Sequence, residues 1–125
     1  MPEPLRTLMT ATLLEVFGER DPDRRTAAIR RTFSEDVVLV DAEETVTGHE
    51  ALHAKVQRLL DQAPGYVFTP AGPLHEVAEL GHQAWNFGPP DGSPAVSGID
   101  IGVAQDGRLA RLYTILLPAP DGRNP

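Results

Sequence analysis

The chain has 125 residues, a formal net charge of −7 and an isoelectric point near 4.9. That is enough polypeptide for one domain, and its acidity excludes the basic footprint that nucleic-acid or anionic-membrane binding requires. It has no cysteine, so disulfide and thiol chemistry are excluded and a cytoplasmic setting is expected.

Residues 1–17 lack the basic start and unbroken apolar stretch of a signal peptide, because Glu15 interrupts them. No apolar run approaches the ~20 residues needed to span a bilayer. Leu5, Leu8, Met9, Leu13, Val16 and Phe17 instead recur at helical steps, which predicts a helix over residues 4–17 ended by Gly18. Asp21-Pro22 is a helix start, with Asp21 as N-cap and Pro22 at the first helical position. Ala28, Ile29 and Phe33 give this second helix an inward side. Arg24, Arg25, Arg30 and Arg31 are expected mostly outward, as a solvated surface.

Residues 37–41 read as a short buried strand ending on Asp41, with Val37, Leu39 and Asp41 on one face. A turn or short strand covers residues 43–47. A third helix runs over residues 49–63, with Leu52, Val56, Leu59 and Leu60 inward and Pro64-Gly65 as its stop. It opens on His49-Glu50-Ala51-Leu52-His53, which spells H-E-x-x-H. That spacing suits zinc ligands only within its structural context. The extended pattern's glycine and third histidine are replaced here by Val56 and Leu59, and Glu50 at a helix start is explained by the helix dipole. No metal site is therefore assigned.

From Tyr66 the pattern is β. Residues 66–69 and 74–77 form one strand broken by Pro70-Ala71-Gly72-Pro73, a bulge or an edge. Residues 81–87 form the next strand, with Gln83, Trp85 and Phe87 on one face. Residues 96–103 and 109–117 then form a hairpin around Asp106-Gly107. Gly98, Asp100, Gly102 and Ala104 share one hairpin face and Ile99, Ile101 and Val103 the other. An acid flanked by glycines has open space before it, which suggests a cavity wall. Residues 118–125 read as a frayed tail. There is no repeat and no linker, so the chain is one domain with a core over about residues 5–117. The class is α+β: three N-terminal helices, a short strand pair before the third, and then about four antiparallel strands, with the helices on one face of a curved sheet.

The ordered set Phe33-Ser34-Glu35-Asp36-Val37-Val38-Leu39-Val40-Asp41, Thr47-Gly48-His49-Glu50-Ala51-Leu52, and Ser97-Gly98-Ile99-Asp100 with Asp106-Gly107-Arg108-Leu109 resembles the nuclear transport factor 2-like superfamily. The nearest branches are the SnoaL-like and ketosteroid-isomerase-like ones. The resemblance implies a strongly curved, mostly antiparallel sheet forming a cone with an internal pocket. By analogy with ketosteroid isomerases it implies Asp41 as general base and Asp100 as a protonated hydrogen-bond donor. Leu13 stands where those enzymes carry a tyrosine.

An apolar pocket would raise a carboxyl pKa, and two nearby acids would push their values apart. The alternative for Asp41 is a cap on the turn before Glu43-Glu44, and for Asp100 a pairing with Arg108 or Arg111. Leu13, Phe17, Leu39, His53, Gln83, Trp85, Phe87, Leu112, Thr114 and Leu116 are the expected substrate contacts, although a lone tryptophan is equally at home in a core. The expected function is cofactor-free acid/base chemistry of isomerase, cyclase or dehydratase type on a hydrophobic cyclic or polyketide-like molecule. The alternative is a non-catalytic hydrophobic-ligand-binding or dimerisation module. Ile99, Ile101 and Val103, joined by Tyr113 and Ile115, form an outer apolar face expected to make a two-fold homodimer.

Overall fold

A computed structural model describes residues 4–118 of the chain. Most of the expected tail, from residue 119 on, lies outside the described residues. Helix α1 spans Leu5–Ala11 and continues as a π-helical segment, Thr12–Phe17. The wider turn is marked by Gly18 N–H donating to Leu13 O, five residues back, at 2.9 Å. Thr12 contributes by turning its hydroxyl onto Leu8 O at 2.9 Å. The predicted apolar stripe survives this change of pitch. Leu8, Met9, Leu13 and Val16 are buried, and only the intervening Leu14 is 44% exposed.

Helix α2 spans Pro22–Thr32, and Asp21 caps it by accepting from Arg24 N–H. One of its arginines departs from the expected solvated surface. Arg25 is fully buried, because its guanidinium is drawn inward by the carbonyls of Glu19 and Arg20 and the side chain of Gln57. Helix α3 spans His49–Asp61, with Leu52, Val56 and Leu60 buried. Among the described residues no helix is long and apolar enough to cross a membrane.

Seven strands form one sheet: β1 Phe33–Val40, β2 Thr45–Thr47, β3 Val67–Pro70, β4 His75–Val77, β5 Leu80–Gly88, β6 Val96–Gln105 and β7 Arg108–Leu116. Their order is β2-β1-β7-β6-β5-β3, with β4 also pairing β5. The sheet is curved and does not close on itself. The segments β3 and β4 lie along opposite ends of β5, so they are the single interrupted edge strand that the Pro-Ala-Gly-Pro break predicts. All pairs are antiparallel except β1–β7. That parallel pair, with Phe33 opposite Leu109, carries β1 four residues upstream of its expected start. A partner 76 positions away supplies hydrogen bonds that no local pattern reveals.

The β6–β7 hairpin turns on Asp106 and Gly107, both at positive φ (54° and 82°). This is the two-residue turn whose twist matches the flanking strands. The helices cover the inner sheet face. Leu8, Met9, Phe33, Leu39, Leu52, Val56, Leu109 and Leu112 are at most 2% exposed in that interface. Each such side chain contributes about 1.5–3 kcal/mol by leaving water.

The glycines beside Asp100 do not open a void, contrary to the expectation from their size. A Cβ at Gly98 would overlap the Trp85 indole, and one at Gly102 would stand 2.6 Å from Met9 Sδ. The missing side chains are the space into which Trp85 and Met9 pack.

Candidate functional site

A cavity of about 430 Å³ lies between the inner sheet face, the π-helical segment and α3. Its aromatic wall is Phe17, Tyr66, Phe68, Trp85 and Phe87, five of the chain's seven aromatic residues. Phe68 is the hub. It stacks on Phe87 with ring centroids 4.1 Å apart and meets Trp85 and Phe17 edge-on at 5.3 and 6.0 Å. The two acids singled out from the sequence both line this cavity. β1 delivers Asp41 just past its last residue, and β6 delivers Asp100 from its middle.

Their environments are opposite. Asp100 is 5% exposed. Trp85 Nε1–H, from the neighbouring strand β5, donates to its Oδ1 at 3.0 Å, and Thr114 Oγ1–H, directly opposite on β7, donates to the same oxygen at 3.0 Å. No described residue hydrogen-bonds Oδ2. Burial pushes the carboxyl from its ordinary 3.8 to about 6, against the two donors, which pull it down. Neither Arg108 nor Arg111 pairs with it; Arg108 donates to Arg30 O.

Asp41 is tied on both oxygens. Oδ1 accepts the backbone N–H groups of Glu43 and Glu44 at 2.9 and 3.0 Å, so the turn-capping reading is correct. Oδ2 pairs with Lys55 Nζ at 2.7 Å. Burial would raise this carboxyl, but Lys55 and the two N–H donors outweigh it and hold it below its ordinary value. Lys55 also reaches Glu44 at 2.8 Å, and Arg58 reaches Glu44 at 3.3 Å. The two acids thus differ in pKa through their separate surroundings, without direct coupling.

Leu13, Phe17, Leu39, Trp85, Phe87, Thr114 and Leu116, named from the sequence as substrate contacts, line the cavity. Three other expected contacts do not. Gln83 is turned into the backbone, donating to Ala84 O at 2.7 Å. Leu112 is wholly enclosed in the core. His53 sits on the α2 side of α3, where burial and then the Arg25 charge lower its pKa. His49 does not join His53 in a metal set; its Nε2 lies 2.9 Å from Phe33 O. Among the described residues no group of three His, Cys, Asp or Glu side chains is placed to hold a metal ion.

The sequence reading missed Lys55, Tyr66 and Phe68 as cavity residues. Lys55 had a signal. It sits three residues after Leu52 and four before Leu59, on the apolar stripe of α3, where a cation needs a partner. Replacing Lys55 with Met is expected to destabilise the protein by about 1–3 kcal/mol at pH 7, because it strands Asp41 without its cation. Asp41's folded pKa is depressed, so its pairing stabilises above the unfolded value and is lost as pH falls through the folded one. Urea titrations should therefore show the Lys55→Met deficit shrinking in acid; a deficit independent of pH would exclude the pair as its cause.

The family model described as SnoaL-like domain matches residues 11–112. No curated protein matches the sequence. A solved structure from Agrobacterium tumefaciens, of the SnoaL-like family and proposed to be an isomerase, superposes with a TM-score of 0.83 at 23% identity, over 90% of this chain and 96% of that one. One from Kribbella flavida, proposed to be a ketosteroid isomerase, gives 0.69 at 19%, over 92% and 78%. One from Jannaschia, proposed to be a SnoaL-like polyketide cyclase, gives 0.70 at 17%, over 93% and 90%. Identities this low establish the shared fold and not a shared reaction.

Proposed function

The chain belongs to the SnoaL-like domain family, within the nuclear transport factor 2-like superfamily, and we propose that it is a small-molecule enzyme moving a proton on a hydrophobic substrate held in the aromatic cavity. The observation that carries this reading is Asp100. It combines a pKa of about 6, one oxygen occupied by protein donors and one oxygen with no donor among the described residues, all on the wall of a cavity. A carboxyl in that range is mostly ionised near pH 7 and still protonatable, which suits a general acid or base.

The step is a transfer within the substrate. Ionised Asp100 accepts a proton from carbon next to a carbonyl, and the electron pair of that C–H bond delocalises toward the carbonyl oxygen. The protonated acid then returns the proton to another position. Isomerisation, cyclisation or dehydration without a cofactor begins this way. This assignment reverses the roles implied by ketosteroid isomerases. Asp41, with both oxygens engaged and a lowered pKa, is a weak base. Its part is to hold Lys55 at the charged mouth.

Trp85 is the only tryptophan, so its fluorescence reports ligand entry without a label. Planar cyclic ketones that quench it are to be incubated with the protein in D2O and followed by NMR. Deuterium entering beside the carbonyl, and lost in Asp100→Asn, supports the enzyme. Quenching with no exchange in any such ketone leaves a non-catalytic binding module.

The outer sheet face is assigned to a second copy of the chain. Ile99 lies opposite Ile115 and Ile101 opposite Tyr113, which makes a continuous apolar ladder, with Tyr113 36% and Ile115 48% exposed. Sedimentation should find a dimer that Ile101→Lys converts to monomer. A monomeric wild type would sink this assignment.

A further inference from the structure

The two hydrogen bonds to Asp100 fall on one oxygen, and three strands cooperate to place them there. Thr114 is the register partner of Asp100 across β6–β7. Trp85 is the register partner of Gly98 across β5–β6. The indole occupies the volume that a side chain at Gly98 would fill, and from there its Nε1–H reaches diagonally to the residue two positions on. A side chain at Gly98 would displace the donor. A side chain at position 114 without a hydroxyl would remove the second donor. The charged groups sharing the cavity are Asp41, Glu43 and Glu44 on the β1–β2 turn and Lys55 and Arg58 on α3. None of them hydrogen-bonds Asp100, so the orientation of its carboxyl is set by Trp85 and Thr114 alone among the described residues.

We propose that Trp85 and Thr114 are positioning residues which, by both donating to Oδ1, confine the exchangeable proton of Asp100 to Oδ2, the oxygen left to the cavity. The inference rests on Asp100 being the proton carrier and adds which of its oxygens works. An oxygen that already accepts two N–H and O–H donors has its lone pairs engaged. Protonating it would set the new O–H against those donors, so the proton takes the other oxygen. Oδ1 is then the C=O of the neutral acid, and the O–H points to where a substrate lies. The same two donors stabilise the ionised form, so a proton that leaves does so from Oδ2 and returns to it.

The test needs no substrate. Carboxyl NMR titration and isotope-edited infrared spectra of protonated Asp100 are compared in wild type, Trp85→Phe, Thr114→Val and Thr114→Ser, with Asp100→Asn assigning the signals. Circular dichroism confirms folding. A C=O that accepts hydrogen bonds absorbs at lower frequency than a free one. Trp85→Phe and Thr114→Val should each raise the titration midpoint by roughly one pH unit, the worth of a hydrogen bond to a charged group, and each should move the C=O stretch upward. Thr114→Ser, which restores the hydroxyl, should match wild type. Unchanged midpoint and stretch in both Trp85→Phe and Thr114→Val, or a Thr114→Ser shift as large as that of Thr114→Val, would overturn the proposal. Failure of the proton-transfer reading is seen separately, as absence of substrate exchange in wild type while these spectra still respond.

Discussion

Asparagine at position 100 is expected to make the protein more stable by about 3 kcal/mol at pH 7 and, at once, to slow the proposed proton transfer by roughly 10²–10⁴-fold. Both effects have one cause. A carboxyl moved from 3.8 to about 6 by burial is harder to ionise in the folded chain than in the unfolded one. Below 3.8 both states hold the proton and burial of the neutral acid carries no ionisation penalty. As pH rises from there, the unfolded chain releases its proton first and folding stability falls. The loss levels off once the folded carboxyl has also ionised, above about 6. Asparagine keeps an oxygen for Trp85 and Thr114 and removes the charge. Its advantage should be absent near pH 3.5 and full at pH 7. Urea unfolding of both proteins at the two pH values checks this. A difference of the same size at both would show that Asp100 is not a strained buried acid, and would remove the main support for its catalytic role. Stability sacrificed for a reactive group is a common feature of functional sites.

Methionine in place of Arg25 should lower stability by about 3–5 kcal/mol, among the larger effects open to a single side chain here. The guanidinium is fully buried. It donates Nε–H to Glu19 O at 2.9 Å, one terminal nitrogen to Gln57 Oε1 at 2.7 Å and the other to Arg20 O at 3.3 Å. Gln57 is itself oriented by donating to Asp61 at 2.9 Å. The arginine therefore clamps the loop before α2 to α3, and α3 carries one side of the cavity. Methionine retains much of the aliphatic stem but leaves three acceptors without a donor. Burial lowers the arginine's own pKa, yet guanidinium stays protonated in proteins. The substitution should also raise the pKa of His53, which burial and then the Arg25 charge depress. Denaturant midpoints and His53 NMR titration measure the two effects. A loss under about 1 kcal/mol would mean that water or a neighbour satisfies the carbonyls.

The elements most legible in the sequence were those with local causes. The Asp21-Pro22 helix start, the Asp106-Gly107 turn and the stripe through Leu52, Val56 and Leu60 all appear where expected. The broken edge strand around Pro70 to Pro73 was also readable, because proline cannot sustain a strand ladder. Misreadings arose where a distant partner decides. Arg25 stands three and four residues before Ala28 and Ile29, on the inward stripe of α2, but residue type argued for solvent and outweighed that spacing in the sequence. Only the carbonyls and Gln57 that converge on it make burial tolerable. The π-helical pitch of residues 12–17 is likewise invisible in a pattern that fits an α-helix equally well.

The sequence by itself determined the class of fold, the order of its elements and the two acids worth testing, because periodicity, turn chemistry and strand alternation are properties of neighbouring residues. Only the tertiary structure decided what each acid is. Asp41 and Asp100 are the same residue type, and both were expected in a pocket that raises their pKa. Folding gave Asp41 a lysine from α3 and two backbone donors, which stabilise its charge. It gave Asp100 an aromatic enclosure and two donors on a single oxygen, too few to offset the loss of water. A carboxyl's proton affinity is set by the polar groups and the water around it. In this chain those groups come from strands and a helix up to 15 positions away, and local spacing, which marks Lys55 as needing a partner, does not say which acid each group meets.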